Sequence, residues 1–261
     1  MRLAGDLPDI EVFEEVGSTN DLARERALAG ASHGAAVRAR VQRAGRGQQG
    51  HRWASPQGGL YLSVVLWPEV DPTLLSGISA ACGIGVVRAL DEAGAEGLRL
   101  KWPNDIVRGC AKLGGILVEA GQADGRAFAV CGVGINIQTP QVMGGSPGAL
   151  AATGLAACLP AGAEAPTPAE LAGPVRARIV EAVDEWAGAS QGASAPLLGI
   201  SGAYHGVLAF QGEPVELITK DGSSTLCGTF LGVDGYGRAR VQLGDGQLAI
   251  CDSAQYSLRP A

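Results

Sequence analysis

With 261 residues, 46% of them hydrophobic, the chain can bury one large core, or a large core and a small one. A formal net charge of −6 and a pI of about 5.1 argue against the broad basic face of a general nucleic-acid binder. No apolar run stands out as long enough to span a bilayer, and Met1 to Pro8 lack a signal-type apolar region, so the expectation is a soluble cytoplasmic protein. Six cysteines (Cys82, Cys110, Cys131, Cys158, Cys227 and Cys251) are scattered without a Cys-x-x-Cys pair, which predicts reduced thiols and no zinc site. With only His33, His51 and His205, histidine base catalysis has few candidates.

In chain order, Ile10 to Glu14 alternates as a short strand. Ser18, Thr19 and Asn20 then precede a helix over Asp21 to Ala29. Taken alone they read as its N-cap; the rival reading aims them into a small-molecule site. Ala35 to Gln42 and Leu60 to Trp67 read as strands flanking a loop, Arg43 to Trp53, that holds three glycines and three arginines. No core absorbs that many guanidinium groups, so the loop is a cationic anion-binding segment able to fold over a ligand. Pro72 to Ala93 carries apolar residues at helical spacing.

Leu98 to Trp102 reads as a strand stopped by Pro103-Asn104-Asp105, and Ile106 to Val107 resumes it briefly. Lys112 opens a strand through Glu119, and Phe128 to Ile137 forms another; Gly114-Gly115 suggest close approach by a ligand or another backbone, and the alternating Gly132 and Gly134 leave room for something to lie against the sheet. Gln141 to Ala152 reads as loop or short helix, and Pro166-Thr167-Pro168-Ala169-Glu170 starts a helix whose apolar spacing runs from Leu171 to Trp186. Gly188 to Gly202 reads as a connection. After it, Val207-Leu208, Pro214 to Thr219, Leu226 to Val233, Arg238 to Leu243 and Gln247 to Cys251 read as short strands, with hairpin-type turns at Asp221-Gly222, Asp234-Gly235 and Asp245-Gly246. This predicts a domain over 1–203 and a small antiparallel barrel-like domain over 204–261.

Polar groups without structural duty gather at strand ends: Ser18-Thr19-Asn20, the Gly/Arg loop, Lys101 to Lys112, and Asn136. Read together, Gly17-Ser18-Thr19-Asn20, Gln42-Arg43-Ala44-Gly45-Arg46-Gly47 with Trp53, Lys101-Trp102-Pro103-Asn104-Asp105, Lys112 to Glu119, and Gly132-Val133-Gly134-Ile135-Asn136 resemble the motifs of a biotin protein ligase in their order and spacing. That resemblance implies an α/β (α+β) fold: a class II synthetase-like domain of mixed, mainly antiparallel sheet with helices on one face, plus a C-terminal SH3-like β barrel. It implies activation of biotin with ATP and Mg²⁺ to biotinyl-5′-AMP, then transfer to a lysine of the biotin carboxyl carrier protein of acetyl-CoA carboxylase or a related biotin-dependent carboxylase.

By the same resemblance, Ser18, Thr19, Asn20, Gln42, Gly45, Arg46, Lys112, Gly115 and Gly132 lie around biotin. Gln48, His51, Trp53, Asn104, Asp105, Lys112 and Asn136 lie around the nucleotide. Lys112 and Arg46 are the catalytic candidates, and Asp105, equally readable as a turn former, is the candidate Mg²⁺ ligand. Trp102 and Arg43 read instead as a core aromatic and a surface charge. The chain departs from the family at Gln48 and His51, where relatives often carry arginines that retain the adenylate. Both residues bring less fixed charge, which implies reliance on Arg46, Lys112 and Arg52 and leakage of free adenylate.

Three rival readings are weighed. A lipoate ligase of the same superfamily shares the carboxylate chemistry, but the Gly-Arg-Gly loop and the Lys-Trp-Pro-Asn-Asp motif favour biotin. A DNA-binding repressor of the family's bifunctional type needs a domain before the catalytic motifs, which begin at Ser18; no DNA binding is therefore expected. A P-loop lacks its Gly-Lys-Ser/Thr ending here. The family often pairs edge strands into homodimers, while the residues themselves leave oligomeric state open.

Overall fold

The computed structural model describes residues 7–48, 52–140 and 150–261. An eight-stranded sheet is built from β1 (Glu11–Val16), β2 (Ala36–Gln42), β3 (Leu60–Leu66), β4 (Leu98–Lys101), β5 (Asp105–Arg108), β6 (Ala111–Ala123), β7 (Arg126–Ile135) and the two-residue β8 (Ala151–Ala152). Its order is β1-β2-β3-β7-β6-β5-β4, with β8 beside β6. Only β1–β2 and β6–β8 pair in parallel, so the sheet is mixed and mainly antiparallel. β3 is an unbroken apolar run apart from Ser63, and all seven of its residues are buried, as a central strand covered on both faces requires.

The period of two along β3 divides the core. Leu60, Leu62, Val64 and Leu66 face the main cluster with α2 (Ile78–Glu92) and α3 (Pro168–Ala189). Val65 joins a smaller cluster with Ala23 and Ala27 of α1 (Thr19–Leu28), Val37, Phe128 and Val130. The expectation of helices on one face therefore holds for α2 and α3, whereas α1 covers the opposite face. That face carries the site, because α1 starts directly over β3 and β7.

A 3-10 turn over Pro72–Gly77 leads into α2. By length and a mean hydropathy of 1.6, the run Pro72–Glu92 could cross a bilayer, contrary to the first reading; its most apolar window is 72% buried inside the fold. Packing explains the composition: the ideal Cβ position at Gly85 lies 2.4 Å from the Arg178 carbonyl of α3, so the two helix backbones touch there. α3 starts at a capping box in which Thr167 and Glu170 satisfy each other's backbone N–H groups.

The expected strand at Val207-Leu208 is instead the end of α4 (Ser201–Val207), with Leu208 forming a single bridge to Leu100. Two apolar residues carry no period. Here the helix wins because it buries Tyr204. The expected boundary between 203 and 204 falls inside α4, which packs on α2 and β4. Of the segment 141–152, residues 141–149 lie outside the described residues, and 151–152 form β8.

The C-terminal sheet comprises β9 (Pro214–Thr219), β10 (Thr225–Val233), β11 (Ala239–Leu243), β12 (Leu248–Cys251) and β13 (Tyr256–Pro260), all antiparallel, in the order β12-β11-β10-β9-β13. β13 is absent from the sequence reading. Only Leu258 in it is buried and Pro260 ends it, a composition tolerated at a sheet edge. Two of the three turns use the expected glycines, Gly222 (φ 71°) and Gly246 (φ 84°); the middle one places the positive φ of 78° at Gly237, two residues beyond Gly235. The fully buried Trp102 donates its indole N–H to the Gly237 carbonyl at 2.9 Å, so this core aromatic ties the large sheet to the small one.

Candidate active site

A cleft of about 440 Å³ opens where the start of α1, the loop after β2, the β4–β5 turn, β6 and β7 face β9 and β13 of the small sheet. It gathers Ser18, Thr19, Asn20, Gln42, Arg46, Gln48, Trp53, Asn104, Asp105, Lys112, Gly115 and Gly132 from motifs far apart in the chain. Two expected members stand apart. Gly45 lies behind the lining, where a Cβ would come within 2.6 Å of Ser55 Oγ and the Trp53 carbonyl. Asn136 donates its amide to the Thr153 carbonyl at 3.2 Å and does not line the cleft. His51 lies outside the described residues.

The N-cap reading of Ser18-Thr19-Asn20 fails on geometry. Ser18 occupies the cap position with extended backbone, but its side chain makes no capping bond. Thr19 and Asn20 are buried and turned into a polar floor. Gln42 Oε1 accepts from the Thr19 backbone N–H (2.8 Å) and lies 3.0 Å from Thr19 Oγ1. Ser63 Oγ lies 2.8 Å from Thr19 Oγ1 and 2.6 Å from Asn20 Oδ1. Asn20 Nδ2 donates to Glu119 Oε2 at 2.6 Å. Such buried polar groups are tolerated because each is bonded.

The strand glycines make room chiefly for the protein's own side chains. A Cβ at Gly132 would sit 2.1 Å from Asn20 Oδ1, and one at Gly134 would sit 2.6 Å from Trp53 Nε1. At Gly114 the crowding partner is the Gly134 carbonyl, at 2.4 Å. Gly115 alone among these opens on free space in the cleft, with nothing nearer than 3.8 Å.

Charge is concentrated around Asp105. Lys112 Nζ lies 2.5 Å from its Oδ1 and Lys101 Nζ 3.0 Å from its Oδ2. Lys112 also stands 5.3 Å over the Trp53 ring, a cation–π distance. It therefore faces the cleft rather than guarding an edge strand. Trp53 Nε1 is buried without a hydrogen-bond partner among the described residues. Burial pushes the Asp105 carboxyl up, but the two ammonium groups outweigh it and hold the pKa below the ordinary value. A depressed carboxylate pKa contributes stability that is fully present above the unfolded value, near pH 4, and is lost as pH falls through the folded value. Asp105→Asn is thus expected to lower stability at pH 7 and to flatten its fall below about pH 4. Urea unfolding of both proteins at pH 7 and pH 3 checks this, and equal slopes would refute it.

The geometry does not fit Asp105 as a resident Mg²⁺ ligand. Both of its carboxylate oxygens are already bonded to ammonium groups, so a dication there would meet two positive charges. Among the described residues, no group of three or more His, Cys, Asp or Glu side chains could hold a metal.

Arg46 is neutralised by the protein itself. Its guanidinium makes a bidentate pair with Asp21 (2.8 and 2.6 Å) and reaches Glu119 at 3.4 Å. These contacts hold the Arg46 guanidinium charged and the Asp21 carboxyl below its usual value, mainly through their shared hydrogen bonds. Arg46 thereby holds onto α1, and a single antiparallel bridge pairs it with Arg52. Arg43 is exposed and pairs with Glu15, in keeping with a surface charge.

Sequence reasoning placed Lys101 and Glu119 within its motifs without giving either a role, and it missed Ser63 and the contributions of Thr219, Lys220, Tyr256 and Arg259 from the small sheet. The role of Lys101 shows only in the structure, where it is 8% exposed and therefore needs the partner that Asp105 supplies. The small sheet carries no motif that could have indicated its part.

Residues 12–136 match the model of the biotin/lipoate A/B protein ligase family. The chain is 38% identical over 135 residues to the bifunctional ligase/repressor BirA of Escherichia coli, covering 51% of this chain and 42% of that protein. It is 37% identical over 139 residues to a biotin–[acetyl-CoA-carboxylase] ligase of Mycobacterium tuberculosis, covering 51% of each. The aligned stretch therefore spans about half the length of these relatives or less. The fold superposes on a biotin protein ligase from Aquifex aeolicus in complex with biotin and ATP with a TM-score of 0.76 and 26% identity, covering 98% of this chain and 100% of that one. Residues 12–136, just under half of the chain, are thus similar to the biotin/lipoate A/B protein ligase family.

Proposed function

We propose that this protein activates biotin with ATP to biotinyl-5′-AMP and transfers the biotinyl group to a lysine of a biotin carboxyl carrier domain. The observation that carries the reading is the cleft itself. It brings a buried polar floor, a cationic pair around Asp105 and an indole N–H unpartnered among the described residues into one cavity, and the matching Aquifex aeolicus structure holds biotin and ATP together. Adenylation needs no protein nucleophile: the acid's carboxylate attacks the α-phosphate and pyrophosphate leaves. In the second step a lysine amine attacks the acyl carbon and AMP leaves. Both steps require positioning and stabilisation of developing negative charge. Lys112 suits that duty because its ammonium faces the cleft, with Asp105 keeping it oriented. Ser18, Thr19, Asn20, Gln42 and Gly115 take the biotin side, and Trp53, Asn104 and Gln48 the nucleotide side. The magnesium ion enters as part of the ATP substrate.

The test is incubation with biotin, MgATP and a biotin carboxyl carrier domain. Biotin on one lysine of the acceptor is expected; ATP–pyrophosphate exchange driven by lipoic acid and not by biotin would overturn the reading. Gln48 lines the cleft as a neutral group, and Arg46 beside it is occupied by Asp21. Gln48→Arg is expected to reduce release of free biotinyl-5′-AMP several-fold, on the order of one charge-assisted hydrogen bond. Equal release from both proteins would sink that expectation.

A further inference from the structure

Ser63 lies wholly beneath the cleft floor, is fully buried, and belongs to none of the motifs that marked the site. Its surroundings decide the direction of every hydrogen bond in the floor. The Thr19 backbone N–H can only donate, so Gln42 must turn its oxygen toward it (2.8 Å). The Glu119 carboxylate accepts, so Asn20 must turn its NH₂ toward Oε2 (2.6 Å). Asn20 Oδ1 then faces Ser63 Oγ at 2.6 Å, and the only proton available for that contact belongs to the serine. Having donated it, Ser63 meets Thr19 Oγ1 at 2.8 Å as an acceptor and takes the threonine proton. Gln42 Oε1, 3.0 Å from the same threonine oxygen, has a second lone pair beside the one that takes the backbone N–H, but a threonine proton directed there would leave the 2.8 Å contact between Ser63 and Thr19 without a proton. The sheet register supports the arrangement: Ser63 is the cross-strand partner of Gly132, and the missing Cβ of Gly132 is what admits Asn20 against them both.

We infer that Ser63 is a positioning residue that fixes the hydrogen-bond polarity of the floor, leaving the Thr19 hydroxyl oxygen facing the cleft as an acceptor. Such a floor selects an acid whose far end carries N–H donors and disfavours one whose far end is a disulfide ring. This rests on the biotin reading above for the identity of the ligand, while the polarity itself does not. Sites built to pair a ligand's N–H reject analogues that lack it, because their own buried polar atoms are then left unpaired.

The experiment measures biotin affinity by calorimetry and steady-state KM for biotin and ATP, in wild type, Ser63→Ala, Thr19→Val and the double variant. Ser63→Ala is expected to weaken biotin binding about tenfold, with the ATP KM unchanged. Its effect and that of Thr19→Val are expected to be clearly less than additive in the double variant. Wild-type biotin affinity in Ser63→Ala, additivity of the two changes, or an equal rise in both KM values would overturn the inference. Should the alanine variant fail to fold, Ser63→Cys keeps the bulk and replaces the hydroxyl with a weak donor, and unaltered biotin binding there would overturn it as well. A ligand-free readout separates this from the functional reading. The Asn20 side-chain amide protons should exchange slowly in wild type and quickly in Ser63→Ala; similar exchange in both would overturn the polarity assignment, whereas wild type that fails to bind biotin would count against the proposed function alone.

Discussion

Lys112→Met is expected to slow adenylate formation by about 10²–10³-fold, the loss seen when one preorganised donor is removed from developing anionic charge. The side chain is placed for that role by its own strand. Lys112 projects from β6 at the pairing irregularity where β5 meets it, and Asp105 on β5 holds its ammonium at 2.5 Å. Asp105 cannot neutralise it fully, because Lys101 occupies the second carboxylate oxygen at 3.0 Å. A net positive charge therefore remains beside the cleft even in a protein of formal charge −6. Lys112→Arg keeps the charge but replaces a compact ammonium with a planar fork, and it should recover only part of the rate. Biotin-dependent ATP–pyrophosphate exchange measures the step directly. A loss of less than about fivefold, well below a donor's usual worth, would return Lys112 to the duty of counter-ion for Asp105.

Gly132→Ala is expected to weaken biotin binding by about 100-fold or more, the cost of displacing two or three hydrogen bonds at once. The added Cβ would lie 2.1 Å from Asn20 Oδ1, a distance no real contact tolerates. Asn20 cannot move aside cheaply, because Ser63 and Glu119 hold its two ends at 2.6 Å each. Gly115→Ala is the contrasting variant. Its Cβ meets nothing nearer than 3.8 Å in the ligand-free protein, so stability should hardly change and any loss of affinity would report contact with the ligand. Calorimetric titration of biotin into each variant distinguishes the two. Tight biotin binding by Gly132→Ala would show that the Asn20 position is dispensable.

Most strands and helices of the first two hundred residues were legible where a period or a cap marks them. β3 is an apolar run, α2 repeats at helical spacing, and α3 begins at a Thr167–Glu170 capping box. β13 and α4 were not legible. Tyr256 to Pro260 buries little, and Ser201 to Val207 is too short and too rich in glycine for propensity to identify it. The alternating glycines were read as room for something to lie against the sheet, without indicating what fills it. Nothing local to Gly132 and Gly134 indicates that Asn20 and Trp53, more than eighty residues earlier, fill the space above them.

The amino-acid sequence by itself determined the order of most elements, since residue types and short-range periodicity carry that information, and the resemblance of its motifs implied the mixed sheet and many of the residues that line the cleft. Only the tertiary structure decided how those residues are partnered. Arg46 is occupied by Asp21 and Glu119, Asp105 is enclosed by two lysines, and Ser63 lies beneath the floor. The reason is physical: a hydrogen bond or ion pair depends on distances of about 3 Å between groups that pairing of distant strands alone brings together.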